Sequence, residues 1–428
     1  MNSQQLRHSS PSRLLRRGLY RYLVGPVWPL RFRSSPTTTR FAEEAATNLY
    51  FHLPFCRTLC AYCPYLEVRH EPVLAANYTN ALLDETRSWL AASPHQPLES
   101  VYFGGGTPFL LLPAIERLLA LLAPRLHAAT GLGIELHPAD VSVESARRLH
   151  ALGFDRVSLG AESLHAATLR QLGRAATPAQ ITSAAAILRA AGFRCVDTNL
   201  IYGIDGQTTE DLLADAAHLI DLGVHQISAY PLLPFRHTRC NTLANLRNLV
   251  SRDRTARKLR TLCLARGLRP TSVWSFNRPG SPAYTTVTLD TFRGFGAGAA
   301  TRTLDGFRFN TFDVAAYAQP GGQRTALTLD ADARFHRAHW LYWKIYQLHV
   351  PSAAYRTHFG TTPELDFPQL FGWLSRLGFA QNEGGDWVIN HRGADWIHRV
   401  QQLYSRSWID LFWSRCMHEA WPTEVILE

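Results

Sequence analysis

Six short apolar segments, alternating with stretches of helical spacing, constrain this chain more than any other feature. The strand-like segments are the apolar, aromatic run that starts at Leu49 and stops just before the first cysteine, Leu98–Phe103, Gly133–His137, Arg156–Gly160, Cys195–Ile201 and Gln226–Tyr230. Between them, apolar residues recur at helical spacing over Tyr78–Leu90, Ala114–Leu122, Ser142–Leu152, Ala166–Leu172, Pro178–Ala191 and Glu210–Leu222. Strands that alternate with helices build a parallel sheet covered by helices. Six such units are two short of a closed eight-stranded barrel, so the expectation is an α/β fold with a partly open (βα)6 barrel whose mouth admits a bulky substrate.

Directly after the first strand come Cys56, Cys60 and Cys63, spaced C-x3-C-x2-C, on a loop at the strand's carboxyl end. That is where a β/α barrel keeps its chemistry. Three thiolates on one loop can bind three corners of an iron–sulfur cluster and leave one iron open. A structural zinc site needs a fourth ligand, and His70, the nearest candidate, lacks a partner at finger spacing. An odd number of cysteines without a signal peptide also argues against disulfides. Ligand counting therefore favours the cluster over zinc. Cys195, Cys240, Cys263 and Cys416 stand singly among apolar neighbours and read as small buried hydrophobes.

Two further motifs carry chemistry. Gly104-Gly105-Gly106-Thr107-Pro108 follows the second strand, and three glycines let backbone groups approach a carboxylate or ammonium closely, beyond what a plain tight turn needs. Glu135 is an acid among mostly apolar residues on the third strand. Either it faces outward at an edge or, in a sheet without a solvated face, it is buried and needs a cationic partner.

The cysteine spacing, with Tyr62 before the last cysteine, resembles the radical S-adenosylmethionine (SAM) superfamily, and YFHLPFC resembles its oxygen-independent coproporphyrinogen III oxidase family. The likeness runs from residue 48 to about 302, through VYFGGGTP, the GAES run that ends at Ser163, the L-G-R ending at Arg174, Asn199 to Thr208, and Gly296-Ala297-Gly298-Ala299. It implies a 4Fe–4S cluster on Cys56, Cys60 and Cys63, one or two molecules of SAM, and cofactor contacts from Tyr50, Tyr62, Gly105, Gly106, Thr107, Glu135, Glu162, Arg174, Asn199 and Ile201. In the family, the glycine loop and Glu135's counterpart meet the SAM amino group, and the arginine grips its carboxylate, a task suited to a bidentate guanidinium. Alone, Arg174 would read as a surface residue. Glu162 stands where the family has glutamine and Asn199 where it has a ribose-binding aspartate, as if amide and carboxylate had exchanged places.

The resemblance divides the chain into a basic extension (1–47), the barrel core (48–231), an extension with the GAGA loop (232–333) and a C-terminal domain (334–428). In the last, helices at His336–His349 and Phe367–Leu377 and a hairpin over Phe379–Ile389 suggest a small winged-helix-like unit; a helix is also expected over Leu243–Arg266 and a strand over Thr271–Phe276. Residues 1–42 hold eight arginines and no acid. They read as a strap on the core, favoured by the apolar residues from Tyr20 to Leu30, or as a mitochondrial transit peptide.

Two hallmarks within the family are missing. The oxidases carry a fourth cysteine where this chain has Tyr65, and the heme chaperones carry an H-N-x-x-Y-W run where it has Tyr284–Leu289. This tilts the expected reaction toward methylation or cyclopropanation of a tetrapyrrole or flat aromatic natural product, ahead of coproporphyrinogen III decarboxylation or a heme-chaperone role. A flavodoxin- or ferredoxin-type electron donor is implied. The net charge of +10 comes almost wholly from arginine, since only Lys258 and Lys344 are lysines, and no basic run marks a nucleic-acid surface. No apolar run reaches the roughly 18–20 residues of a membrane span. The expected location is cytoplasmic, or mitochondrial if residues 1–42 are a leader.

Overall fold

The computed structural model describes residues 11–34, 46–93, 95–242, 245, 252–283 and 291–427. In chain order its strands are β1 (Leu30–Arg33), β2 (Asn48–Leu53), the two-residue β3 (Phe55–Cys56) and β4 (Val68–Arg69), β5 (Ser100–Gly105), β6 (Gly131–Leu136), β7 (Arg156–Glu162), β8 (Cys195–Tyr202) and β9 (Gln226–Pro231). There follow β10 (Arg269–Pro270), β11 (Ser275–Asn277), β12 (Arg293–Phe295), β13 (Ala300–Thr303), β14 (Gly306–Asn310), β15 (Thr325–Asp330), β16 (His349–Val350), β17 (Ala380–Glu383), β18 (Asp386–Ile389) and β19 (Glu424–Leu427).

The main sheet has nine strands in the order β10-β11-β9-β8-β7-β6-β5-β2-β12. Its six central strands, β9-β8-β7-β6-β5-β2, are the six expected ones, and they run parallel to one another. β12 adds a parallel strand beside β2, with Gly294 opposite Tyr50, and β11 pairs antiparallel with β9. The two edge strands do not pair with each other, so the sheet remains a partly open barrel.

Side chains alternate across these strands, as a pleat requires. One face carries Leu49, Phe51, Val101, Phe103, Leu132, Ile134, Val157, Leu159, Val196, Leu200 and Ile227, which pack in a core continuous with the covering helices. There Phe51 lies between Phe103 and Phe295, with ring centroids 5.0 and 4.8 Å away. The other face is polar. Ser158 and Ser228 donate to Asp197, Asn199 donates to Ser158, Tyr102 donates to Glu135, and Ser100 donates to Asn48. A parallel sheet covered on both faces would carry apolar runs instead, so the inner face is built to hold something polar.

The Pro11–Val24 helix and β1 precede the barrel; β1 lies between β15 and β19 in a second sheet, and Tyr22 and Leu23 pack on the C-terminal apolar cluster. In that C-terminal part, β16, β17 and β18 form a small sheet beside helices Ser352–Phe359, Pro368–Arg376 and His391–Trp408, a winged-helix-like arrangement. The helix expected over Leu243–Arg266 is described over Arg252–Ala265, and the preceding residues except Asn245 lie outside the described residues, as does Tyr284–Leu289. Among the described residues, no helix is long and apolar enough to cross a membrane.

Candidate metal and cofactor site

The cysteine loop is tied to its surroundings through its backbone. β3 pairs with β4, so Val68 N donates to Pro54 O (2.8 Å) and His70 N to Cys56 O (2.9 Å). On the other side Ala61 N donates to Leu172 O and accepts, through its carbonyl, from Cys240 N. Arg239 Nη2 donates to Leu59 O at 2.7 Å, and His237 Nε2 lies 3.1 Å from Pro64 O. Neither Arg239 nor His237 was singled out from the sequence, because both act through backbone carbonyls far away along the chain.

Behind the loop, Gly106 N donates to Leu53 O and Thr107 N to Phe55 O, each at 2.8 Å. A Cβ on Gly106 would lie 2.7 Å from Phe55 O and 2.8 Å from Cys56 Sγ, so only glycine lets the two loops approach this closely. Thr107 Oγ1 is 3.8 Å from Cys56 Sγ, and Glu67 Oε2 is 3.7 Å from it. Burial pushes the Cys56 thiol up to about 12 and raises those of Cys60 and Cys63. Thiols held this way ionise when a metal takes their charge. Among the described residues, no three His, Cys, Asp or Glu side chains converge as a single-ion site.

Tyr50 and His52 stand on β2 beneath the loop. His52 Nε2 is 3.1 Å from Leu66 O, which can only accept, so Nε2 carries the proton and Nδ1 accepts from Tyr50 Oη at 2.8 Å. Burial lowers the His52 pKa to about 4, which keeps the ring neutral in this role.

Glu135 lies at the end of β6, where Tyr102 Oη donates to Oε1 (2.6 Å) and Gly105 N to Oε2 (3.0 Å). It is therefore inside the barrel and joined to the glycine loop. Burial raises its pKa, and the nearby Glu162 charge adds to this. Gly105 itself has φ +116°, a conformation suited to glycine.

Glu162 is unusual in its backbone. It has φ +63° at a bulge between Gly160 and Glu162, where β7 loses register with β8. The left-handed conformation costs a non-glycine residue on the order of 1–3 kcal/mol and turns its side chain out of the strand's alternation. The carboxylate lies 3.8 Å from Arg174 Nη2 and accepts from Tyr62. Arg174, nearly buried, donates to Gly160 O and reaches Cys60 Sγ at 3.7 Å through Nη1, while its Nε has no hydrogen-bond partner among the described residues. Asn199 gives its amide to Ser158 Oγ at 3.1 Å and leaves Oδ1 buried without a partner among the described residues. Glu162 and Asn199 thus have separate partners, one facing the cysteine loop and the other the floor of the barrel. Ile201 packs with Leu172, Ile204, Leu232 and Cys240 under Ala61 and Tyr62.

Asp197, on that floor, is 1% exposed and burial pushes its pKa up to about 6 in spite of hydrogen bonds from Ser228, Ser158 and Gln226. The folded carboxyl keeps its proton up to about pH 6, while an unfolded one releases it near 4. This residue therefore removes stability as pH rises from about 4 to 6, by up to about 3 kcal/mol. Asp197→Asn is expected to flatten that decline in urea unfolding between pH 4 and 7; an identical slope in both proteins would refute it.

The radical SAM superfamily profile matches residues 50–219. The heme chaperone HemW of Lactococcus lactis is 30% identical over 270 residues, covering 60% of this chain and 70% of the chaperone. The chain belongs to the radical SAM superfamily. Within it, the oxygen-independent coproporphyrinogen III oxidase of Bradyrhizobium diazoefficiens is 27% identical over 308 residues, covering 65% of this chain and 67% of the oxidase. The HemW of Mycobacterium tuberculosis H37Rv is 34% identical over 198 residues, so this chain spans about half (49%) of that relative's length. In fold, the structure of coproporphyrinogen III oxidase (HemN) from Escherichia coli aligns with a TM-score of 0.71 and 18% identity over 89% of this chain and 96% of that one.

Membership implies a 4Fe–4S cluster and SAM as cofactors. The residues present fit both: one buried and two half-buried thiols on one loop, a glycine cradle that a Cβ would fill, and buried Arg174 Nε and Asn199 Oδ1 atoms that lack partners among the described residues.

Proposed function

We propose that this protein is a radical SAM enzyme that acts on a tetrapyrrole or another flat aromatic molecule. One observation carries the reading: the Arg174 guanidinium reaches Cys60 Sγ at 3.7 Å, so a carboxylate-binding group stands beside the thiols. In this reading Cys56, Cys60 and Cys63 hold three irons. Gly105, Gly106, Thr107 and Glu135 meet the SAM amino group, Arg174 its carboxylate, and Asn199 and Glu162 its ribose. Tyr50, Tyr62 and Ile201 line the same cofactor. A reduced cluster held there would supply the one electron for reductive cleavage of the sulfonium carbon–sulfur bond of SAM, the chemistry that leads to 5′-deoxyadenosine.

The chain's own task is to orient SAM and keep water away. The polar inner face supports the first, and a rim of aromatic side chains supports the second. Tyr230 lies 5.1 Å from Trp274, which lies 5.2 Å from Tyr346 of the C-terminal part, and Tyr65 stands two residues past Cys63. Such rings suit a flat apolar substrate.

The relatives carry names of coproporphyrinogen oxidases and heme chaperones, and the methylation or cyclopropanation expected from the missing hallmarks remains part of the proposal. The likeness to HemW favours a second reading, a heme carrier. Anaerobic reconstitution with iron, sulfide, SAM and a reductant separates these. The enzyme reading expects 5′-deoxyadenosine release that rises with a porphyrin substrate, and S-adenosylhomocysteine if a second SAM donates methyl. Tight heme binding with negligible 5′-deoxyadenosine would replace it with the carrier.

A further inference from the structure

We propose that Glu67 is a fourth protein ligand to the cluster, holding the open iron through its carboxylate until SAM displaces it. The inference rests on the cluster reading above and adds to it a residue that the cysteine spacing does not predict.

Glu67 lies four residues past Cys63, and its carboxylate is turned toward the thiols. Oε2 is 3.7 Å from Cys56 Sγ, and the carboxylate also accepts from the Cys63 thiol and from backbone at Cys60. One side chain therefore touches all three cysteine residues. Its position is fixed by backbone on both sides: His52 Nε2 donates to Leu66 O at 3.1 Å, and Val68 N donates to Pro54 O at 2.8 Å as β4 joins β3. The carboxylate is half-buried and makes no ion pair among the described residues.

Of the nearby guanidiniums, Arg239 attracts the Glu67 carboxylate through its charge, but neither it nor Arg174 forms an ion pair with it among the described residues. Arg239 donates through Nη2 to Leu59 O, and Arg174 is directed at Gly160 O, Cys60 Sγ and Glu162. Once the cluster takes the three thiols as thiolates, they no longer donate to the carboxylate, which then needs a cation beside it. An iron–sulfur cluster on Cys56, Cys60 and Cys63 provides that cation, and its fourth iron accepts an oxygen ligand. SAM brings a carboxylate and an amine to the same iron, so Glu67 and SAM compete for one coordination position.

The test uses the full-length chain reconstituted anaerobically with ⁵⁷Fe, as wild type, Glu67→Gln and Glu67→Cys. Mössbauer spectra are recorded with and without SAM, and SAM affinity is measured by equilibrium dialysis. Without SAM, Glu67→Gln is expected to change the signal of a single iron; with SAM, its spectrum should match the wild type. Removing the competitor should tighten SAM binding by about fivefold, whereas a thiolate at this position should keep the cluster and weaken SAM binding by about tenfold or more. Should Glu67→Gln fail to retain iron, Glu67→Cys decides alone. Superimposable SAM-free spectra, or wild-type SAM affinity in a loaded Glu67→Cys protein, would overturn the role of Glu67. A wild type that takes up no iron and sulfide would instead bring down the cluster reading, and this proposal with it.

Discussion

Replacing any one of Cys56, Cys60 and Cys63 with alanine is expected to remove the cluster and reduce 5′-deoxyadenosine release to the level of a protein-free control. The reason is the size of the ligand set. With three protein thiolates, loss of one leaves two, and a carboxylate such as Glu67 is a poor substitute for a sulfur on iron. The loop itself should survive, because Val68, His70, Cys240 and Arg239 hold its backbone and not its thiols. Iron and sulfide content, the visible absorption of the cluster and far-UV circular dichroism separate the two effects. Gly106→Ala provides a subtler companion: its new methyl would press on Cys56 Sγ and Phe55 O, so iron uptake should fall although every ligand is present. Full iron loading in any of the cysteine variants would contradict the assignment of that residue.

How far the sequence carries this picture depends on whether a signal is local. The five barrel strands after the first begin and end within two residues of their expected positions, because strand and helix periods switch within short windows. β12 had no such signal. Arg293–Phe295 is three residues long and gains its place only by pairing with β2, across more than two hundred residues of chain. The site shows the same division. Cysteine spacing and the glycine run are local patterns and were legible. Glu67 was not, since nothing in its neighbours along the chain tells that β4 will fold back beside β3 and aim it at the thiols. The polar inner face was half visible: Ser158, Asp197, Asn199 and Ser228 sit at alternate positions of apolar strands, a period-two pattern that a parallel sheet does not otherwise need. Glu162 shows the opposite limit. Its residue type was noted, but its left-handed backbone, which turns the carboxylate toward Arg174, follows from a bulge that composition does not announce.

Glu85→Ala is expected to cost about 3–5 kcal/mol of stability, the range for stripping one partner from a buried ion pair. Glu85 lies on the Pro72–Ala92 helix, on the same buried face as Tyr78, Leu82 and Trp89. Its carboxylate accepts from Arg293 Nη2 (3.3 Å), Asn310 Nδ2 (3.1 Å), Gly296 N (3.2 Å) and Tyr317 Oη (2.5 Å). Arg293 is 7% exposed, and its Nε and Nη1 find no hydrogen-bond partner among the described residues, so Glu85 is its counter-charge. Removing that counter-charge leaves a guanidinium in the core and a glycine amide unpaired. The damage should also reach the cofactor site. Gly296 has φ +101°, and a Cβ there would lie 2.5 Å from His52 O, so the loop rests directly on the strand leading to the cysteines. Tyr78 makes the same link, donating to His52 O and accepting from Ala297 N. A loosened loop should therefore lower SAM affinity as well as stability. Glu85→Gln keeps acceptors for two donors but loses the charge, so it should fall between alanine and the wild type. Urea unfolding and SAM dialysis on the three proteins measure both consequences, and a Glu85→Ala variant within about 1 kcal/mol of the wild type would mean that Arg293 finds another partner.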